Sequence, residues 1–196
     1  MILSLLSAGQ AQPPVSEPLF PPAAQTGGTA VFAVQFDAGS VRNITTLFGQ
    51  EPFLSSGKQD LTEWKFAPGD SGKALVVICY RRPELFPVGG TTQDLSPSEV
   101  MSDLPFPKEV VEPAYPPNTV VQGGVVLLLE VAKDGSIGRI EPVKQLGPLT
   151  QASIQAVKEW KFEPASDRKG NAVSSQVYAV LVFRTPLFVP TRTGPR

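Results

Sequence analysis

Two stretches of this chain spell nearly the same sequence: DLTEWKFAPG at residues 60–69 and AVKEWKFEPA at residues 156–165. A repeat of this length means that any fold must be built twice from one pattern, so the repeat register decides the architecture. From residue 39 to residue 68 an offset of 96 holds without a gap. Ten of those thirty columns are identical, among them Gly39/Gly135, Pro52/Pro148, Trp64/Trp160, Phe66/Phe162 and Pro68/Pro164, where average usage gives about two. Both tryptophans of the chain fall in one column.

Upstream of the glycine the offset drops to 95, and strand geometry requires it. Side chains alternate faces along a strand, so a slip of one residue turns the apolar face outward. At 95, Ala30, Phe32, Val34 and Phe36 overlie Val125, Leu127, Leu129 and Val131. At 96 the charged Glu130 would enter the core face. The same offset carries Phe20-Pro21-Pro22 onto Tyr115-Pro116-Pro117.

Each copy therefore reads as an aromatic-Pro-Pro lead-in, a strand, a tight turn, a second strand, a helix and a last strand. Lys133-Asp134-Gly135 supplies the turn in the second copy. Pro148 opens its helix, with Leu149, Ala152, Ala156 and Trp160 on one face, and Pro164 closes it. The last strands are the apolar runs 74–81 and 173–184. The first copy is the worn one: Gly57 interrupts its helical stretch, which predicts a shortened helix with Asp60 as N-cap. The expected division is a signal-like and Pro-rich segment (1–18), a degenerate unit (19–86), a Pro/Ser/Gly-rich linker (87–112), a second unit (113–188) and a tail (189–196).

Composition removes most chemistry. With no histidine there is no Ser-His-Asp or Cys-His catalysis and no His-ligated zinc. One cysteine excludes an intramolecular disulfide. A net charge of -1 argues against nucleic acid as partner. Residues 1–11, MILSLLSAGQA, read as the apolar core and cleavage end of an export signal, and 21 prolines include the run that follows. No stretch approaches the ~18 apolar residues of a membrane helix. The chain is expected to be exported.

The order strand, DG turn, strand, helix ending in W-x-F-x-P, strand resembles the C-terminal domain of the TonB/TolA family. The matching residues are Tyr115-Pro116, GVVLLLEVAKDGSIGRI from Gly124, Ala156-Val157 before EWKFEP, and VYAVLVF at 177–183. The resemblance covers 113–188 and, more loosely, 19–86. It implies an α+β fold: two tandem small units, each an antiparallel three-stranded sheet with a helix packed on one face. It also implies a non-enzymatic protein that binds an extended segment of an envelope protein, such as an outer-membrane receptor, by adding it to a sheet edge. The family's transducer has a membrane helix and a long spacer. Neither is recognisable here, so the expectation is a binding or scaffolding protein that does not transduce energy by itself.

The strand expected to form that edge is Val177, Tyr178, Ala179, Val180, Leu181, Val182 and Phe183. An edge offers unpaired N–H and C=O groups that a guest strand satisfies. The alternatives are that this strand lies in the core, or that the two units pair their edges with each other or in a homodimer. Other motifs have plain structural readings. GDSG at 69–72 lacks a histidine base and reads as a loop, and Ser55-x-x-Lys58 lacks the companion motifs of penicillin-binding enzymes. Asn43-Ile44-Thr45 is a glycosylation triplet on a predicted strand. Cys79 reads as a buried small hydrophobe, Trp64 and Trp160 as seals of helix against sheet, and Asp134 as a turn residue. No catalytic residue, metal or cofactor is expected.

Overall fold

In a computed structural model of the protein, residues 20–22, 24–82, 90–117 and 119–185 are described; the signal-like segment and the tail lie outside them. The first copy forms β1 (Gly28–Asp37), β2 (Ser40–Phe48), α1 (Phe53–Thr62) and β3 (Gly72–Tyr80). Then come β4 (Thr92–Asp94) and β5 (Phe106–Val111). The second copy forms β6 (Gly123–Val131), β7 (Ile137–Lys144), α2 (Pro148–Val157), β8 (Lys161–Glu163) and β11 (Ser175–Phe183), with the short ribbon β9 (Ala165–Ser166) and β10 (Ala172–Val173) between.

The turns follow from their residues. Ala38 and Gly39 both have positive φ, 49° and 77°, the conformation of a two-residue hairpin turn that matches strand twist. In the second copy Gly135 takes φ 82°, and Asp134 Oδ1 accepts from Ser136 N at 3.0 Å and Ser136 Oγ at 2.6 Å. Both glycines also admit a close approach. Phe66 N donates to Gly39 O at 2.9 Å and Phe162 N to Gly135 O at 3.2 Å. A Cβ on Gly135 would stand 2.0 Å from Phe162 O. The glycine and the W-x-F motif recur together because each unit docks its helix exit on its own hairpin turn.

Each copy is an antiparallel three-stranded sheet with one helix, as the repeat predicts. The two join into one six-stranded sheet in the order β2-β1-β3-β11-β6-β7. The joining pair β3–β11 is parallel, from Val177↔Leu75 to Val182↔Tyr80. A mirrored strand order with a parallel centre corresponds to an approximate two-fold axis running along the strands, and such an axis exchanges the faces of the sheet. The cores obey it. Ala30, Phe32 and Val34 share a cluster with Phe53, Leu61 and Trp64, whereas their repeat partners Val125, Leu127 and Leu129 lie in the other cluster with Leu149, Val157 and Trp160. One helix covers each face.

Three expectations need correction. α1 is not shortened: it spans ten residues, as α2 does, and Asp60 lies buried within it rather than capping it. Gly57 is there because the helix sits close on the sheet; a Cβ would meet Phe32 Cε2 at 2.7 Å and Ile78 Cδ1 at 3.0 Å. α2 itself ends at Val157, well short of Pro164. The stretch read as a linker also carries structure. β4 and β5 make a second sheet with β8, in the order β4-β5-β8. Leu95, Leu104, Val110 and Tyr115 join the cluster formed by Val31, Ala33, Leu75 and Val77, so this stretch closes the back of the first unit. Prolines and acids mark its surface, but three spaced aliphatic side chains decide its place.

Candidate functional site: the paired last strands

The residues singled out for partner capture form β11, and β11 is not an edge. It pairs antiparallel with β6 from Ser175↔Val131 to Phe183↔Gly123, and on its other side with β3. Past the end of the parallel ladder, Arg81 N donates to Val182 O at 2.9 Å. Val177, Ala179, Leu181 and Phe183 face the α2 side; Tyr178, Val180 and Val182 face the α1 side. All but Tyr178 are buried. The reason is apolarity on both faces. A half-covered edge strand alternates apolar and polar, but ALVVICY and VYAVLVF run almost without interruption, and such runs belong where helices or loops lie above and below. Each run is the other's best neighbour.

The joint is clasped at its ends. Arg81 follows β3, donates from Nε to Pro113 O at 3.2 Å, and lies 5.7 Å from the Tyr115 ring centroid. Arg184 follows β11, donates to Pro21 O at 3.3 Å and Pro22 O at 3.1 Å, and lies 5.5 Å from the Phe20 ring centroid. Each arginine therefore holds the lead-in of the other unit. Each lead-in aromatic also meets the end of its own last strand edge-on, Phe20 on Tyr80 and Tyr115 on Phe183. Trp64 and Phe66 of the first unit stand edge-on to Tyr178 of the second. The helix-end tryptophan thus seals across the joint as well as within its unit.

With the centre closed, the sheet's outer strands are β2 and β7. They are not equivalent. β7 contains Pro142 and carries Arg139, Glu141 and Lys144, devices that blunt an edge. β2 reads SVRNITTLF, with one charge and no proline. Its register shifts opposite Val31/Phe32 and Gln35/Phe36 leave Asn43 to Thr46 as a regular stretch. Near its end Ser98 donates from N to Leu47 O at 2.7 Å. Next to that point lies an apolar pocket of about 170 Å³ lined by Leu47, Val100, Met101, Leu104 and Phe106 among others. Nothing in the repeat pointed to this pocket, because most of its lining comes from the stretch that reads as a linker.

The other motifs behave as structure. Ser71 of GDSG donates to Asp37 Oδ1 at 2.6 Å, and Gly39 N donates to Asp70 O at 2.8 Å, so this loop pins the first hairpin turn. Cys79 is fully buried, and burial pushes its thiol far up, leaving no reactive thiolate. Ser55 and Lys58 lie on α1, where Ser55 N donates to Glu51 Oε2 at 3.2 Å. Asn43 is exposed on β2. Asp134 is an exposed turn carboxylate held below its usual range by the Ser136 hydrogen bonds. Among the described residues no group of His, Cys, Asp or Glu is arranged to hold a metal ion, and no helix is long and apolar enough to cross a membrane.

Residues 111–185 match the family model of the Gram-negative bacterial TonB protein C-terminal domain. This stretch is a TonB C-terminal domain. It begins at the last residue of β5 and ends just beyond β11, close to the span that the motifs indicated. A search of curated proteins finds no match. The family's domains are non-enzymatic and bind proteins of the envelope. Here that domain does not stand alone: a unit with the same order of strands and helix pairs its own last strand, β3, with β11.

Proposed function

We propose that this is a non-enzymatic periplasmic protein that binds an extended segment of an envelope or outer-membrane transport protein by strand addition. The receiving strand is β2, rather than residues 177–183. The β3–β11 ladder is the observation that carries this reading, because it satisfies from within the strand first expected to take a guest. β2 then combines an outermost place in the sheet, held at its ends by Ser98 and Lys65, with little charge and a neighbouring apolar pocket that a guest side chain can fill. A second reading has its own support. The internal pairing of the two last strands also suits a structural scaffold whose last strands are occupied by each other.

Amide exchange on the whole protein separates the two, with and without extended peptides from the plug ends of outer-membrane receptors. Capture at β2 gives new protection within Val41 to Thr46 and leaves Val177 to Phe183 as protected as before. New protection of 177–183, with loss of protection in β3, would return the site to the last strand. No change anywhere with any such peptide would leave the scaffold reading in possession.

A further inference from the structure

The approximate two-fold symmetry is broken at one buried atom. Trp160 and Trp64 occupy the same repeat column and are 2 % and 3 % exposed. Trp160 Nε1 donates to Val111 O at 2.9 Å. Trp64 Nε1 is buried with no acceptor among the described residues. A buried indole N–H normally finds a partner, so the unpaired one marks a place built to receive a carbonyl.

The second unit shows what fills such a place. There β5 runs beside β8, with Phe106↔Glu163 and Glu109↔Lys161 opposed, and Val110 fully buried over the back of the sheet. In the first unit the column of β8 is residues 65–67, which belong to no second sheet among the described residues. The face beside it has the counterpart composition. Val126, Leu128, Tyr178 and Val180 stand in the columns of Val31, Ala33, Leu75 and Val77, the residues that the stretch 95–115 covers. Leu128 and Tyr178 are only half-buried.

The sequence holds a counterpart to the covering strand. Residues 15–22, VSEPLFPP, lie at the 95 offset from residues 110–117, VVEPAYPP. Val15/Val110, Glu17/Glu112, Pro18/Pro113, Pro21/Pro116 and Pro22/Pro117 are identical in those eight columns. Residues 15–19 lie outside the described part, and the chain leads from them directly to Phe20 and Pro21, which Arg184 holds as Arg81 holds Pro113.

We propose that the segment edge beside Trp64 and residues 65–67 is the docking site of this chain's own residues 15–19, with Trp64 Nε1 donating to the Ser16 carbonyl and Val15 covering the second unit's back face. The proposal does not depend on how the protein binds partners. It makes the stretch immediately downstream of the signal-like residues part of the folded domain.

The test is exchange of the two indole N–H protons by NMR in the protein with and without residues 1–19, with Trp64 assigned through Trp64→Phe. Trp160 is the internal standard. In the full chain Trp64 should exchange about as slowly as Trp160, and on removal of 1–19 it should exchange at least about tenfold faster while Trp160 is unchanged. Val15→Asp in the full chain should move Trp64 in the same direction, and the peptide QPPVSEPLF added to the shortened chain should restore the slow exchange. Equal Trp64 exchange with and without residues 1–19 would overturn the proposal. So would protection that appears only with dimerisation in sedimentation, because the arm would then come from a second copy.

Discussion

Gly57 shows how a single residue can mislead a reading of propensity. In an exposed helix, Gly→Ala gains about 1 kcal/mol. Here the new methyl would press on Phe32, which is fully buried and cannot swing aside. The second unit carries Ser153 and Leu127 in the same two columns, a larger helix residue with a smaller strand residue. We expect Gly57→Ala to destabilise by about 1–2 kcal/mol, overpacking outweighing propensity. Urea unfolding measures it, and a gain in stability would show that α1 can lift from the sheet. Tyr178 gives a second test. Burial first, and the charge of Asp70 second, push its phenol from 10.0 to about 12. Ionisation is therefore harder in the folded chain than in the unfolded one. Stability should be complete below pH 10 and should fall as pH climbs towards 12. Tyr178→Phe should flatten that decline in alkaline unfolding curves.

At the scale of elements, the hairpins, α2 and the repeat register were legible because each leaves a local mark: a glycine at a left-handed turn, a proline at a helix start, a period of two. The pairing of β3 with β11 leaves no such mark, since the partners are far apart in sequence. One sign was present and pointed away from an edge. Residues 74–80 and 177–183 are apolar on both faces, the signature of central strands. The stretch 87–112 was misread for the opposite reason, its few aliphatics being diluted by prolines and acids. The central place of β11 changes what proline would do there. In an edge strand it would cost a guest one hydrogen bond. In β11, Val180→Pro removes a donor from a strand paired on both sides and introduces a ring into a fully buried position. We expect loss of the folded protein, seen as collapse of near-ultraviolet circular dichroism and of Trp64 and Trp160 protection. A folded Val180→Pro protein would mean that the β3–β11 ladder is dispensable.

For the whole molecule, the continuous sheet makes the two units thermodynamically one. Neither can open its last strand without uncovering the other's, and each lead-in is held by the other unit's arginine. Calorimetry should therefore give a single transition with equal calorimetric and van't Hoff enthalpies. Two resolved transitions would mean that the joint is weaker than the units it joins.

The reciprocal arginine clasps also bear on what the covalent connection between the units contributes. Hydrogen bonds, edge-on rings and a parallel ladder join the halves in addition to the backbone between Arg82 and Gly90. Covalent connection adds a high effective concentration to those contacts. Two separately encoded halves would have to find each other by diffusion in a crowded compartment, each with an apolar strand exposed in the meantime. Fusion turns that encounter into a folding step.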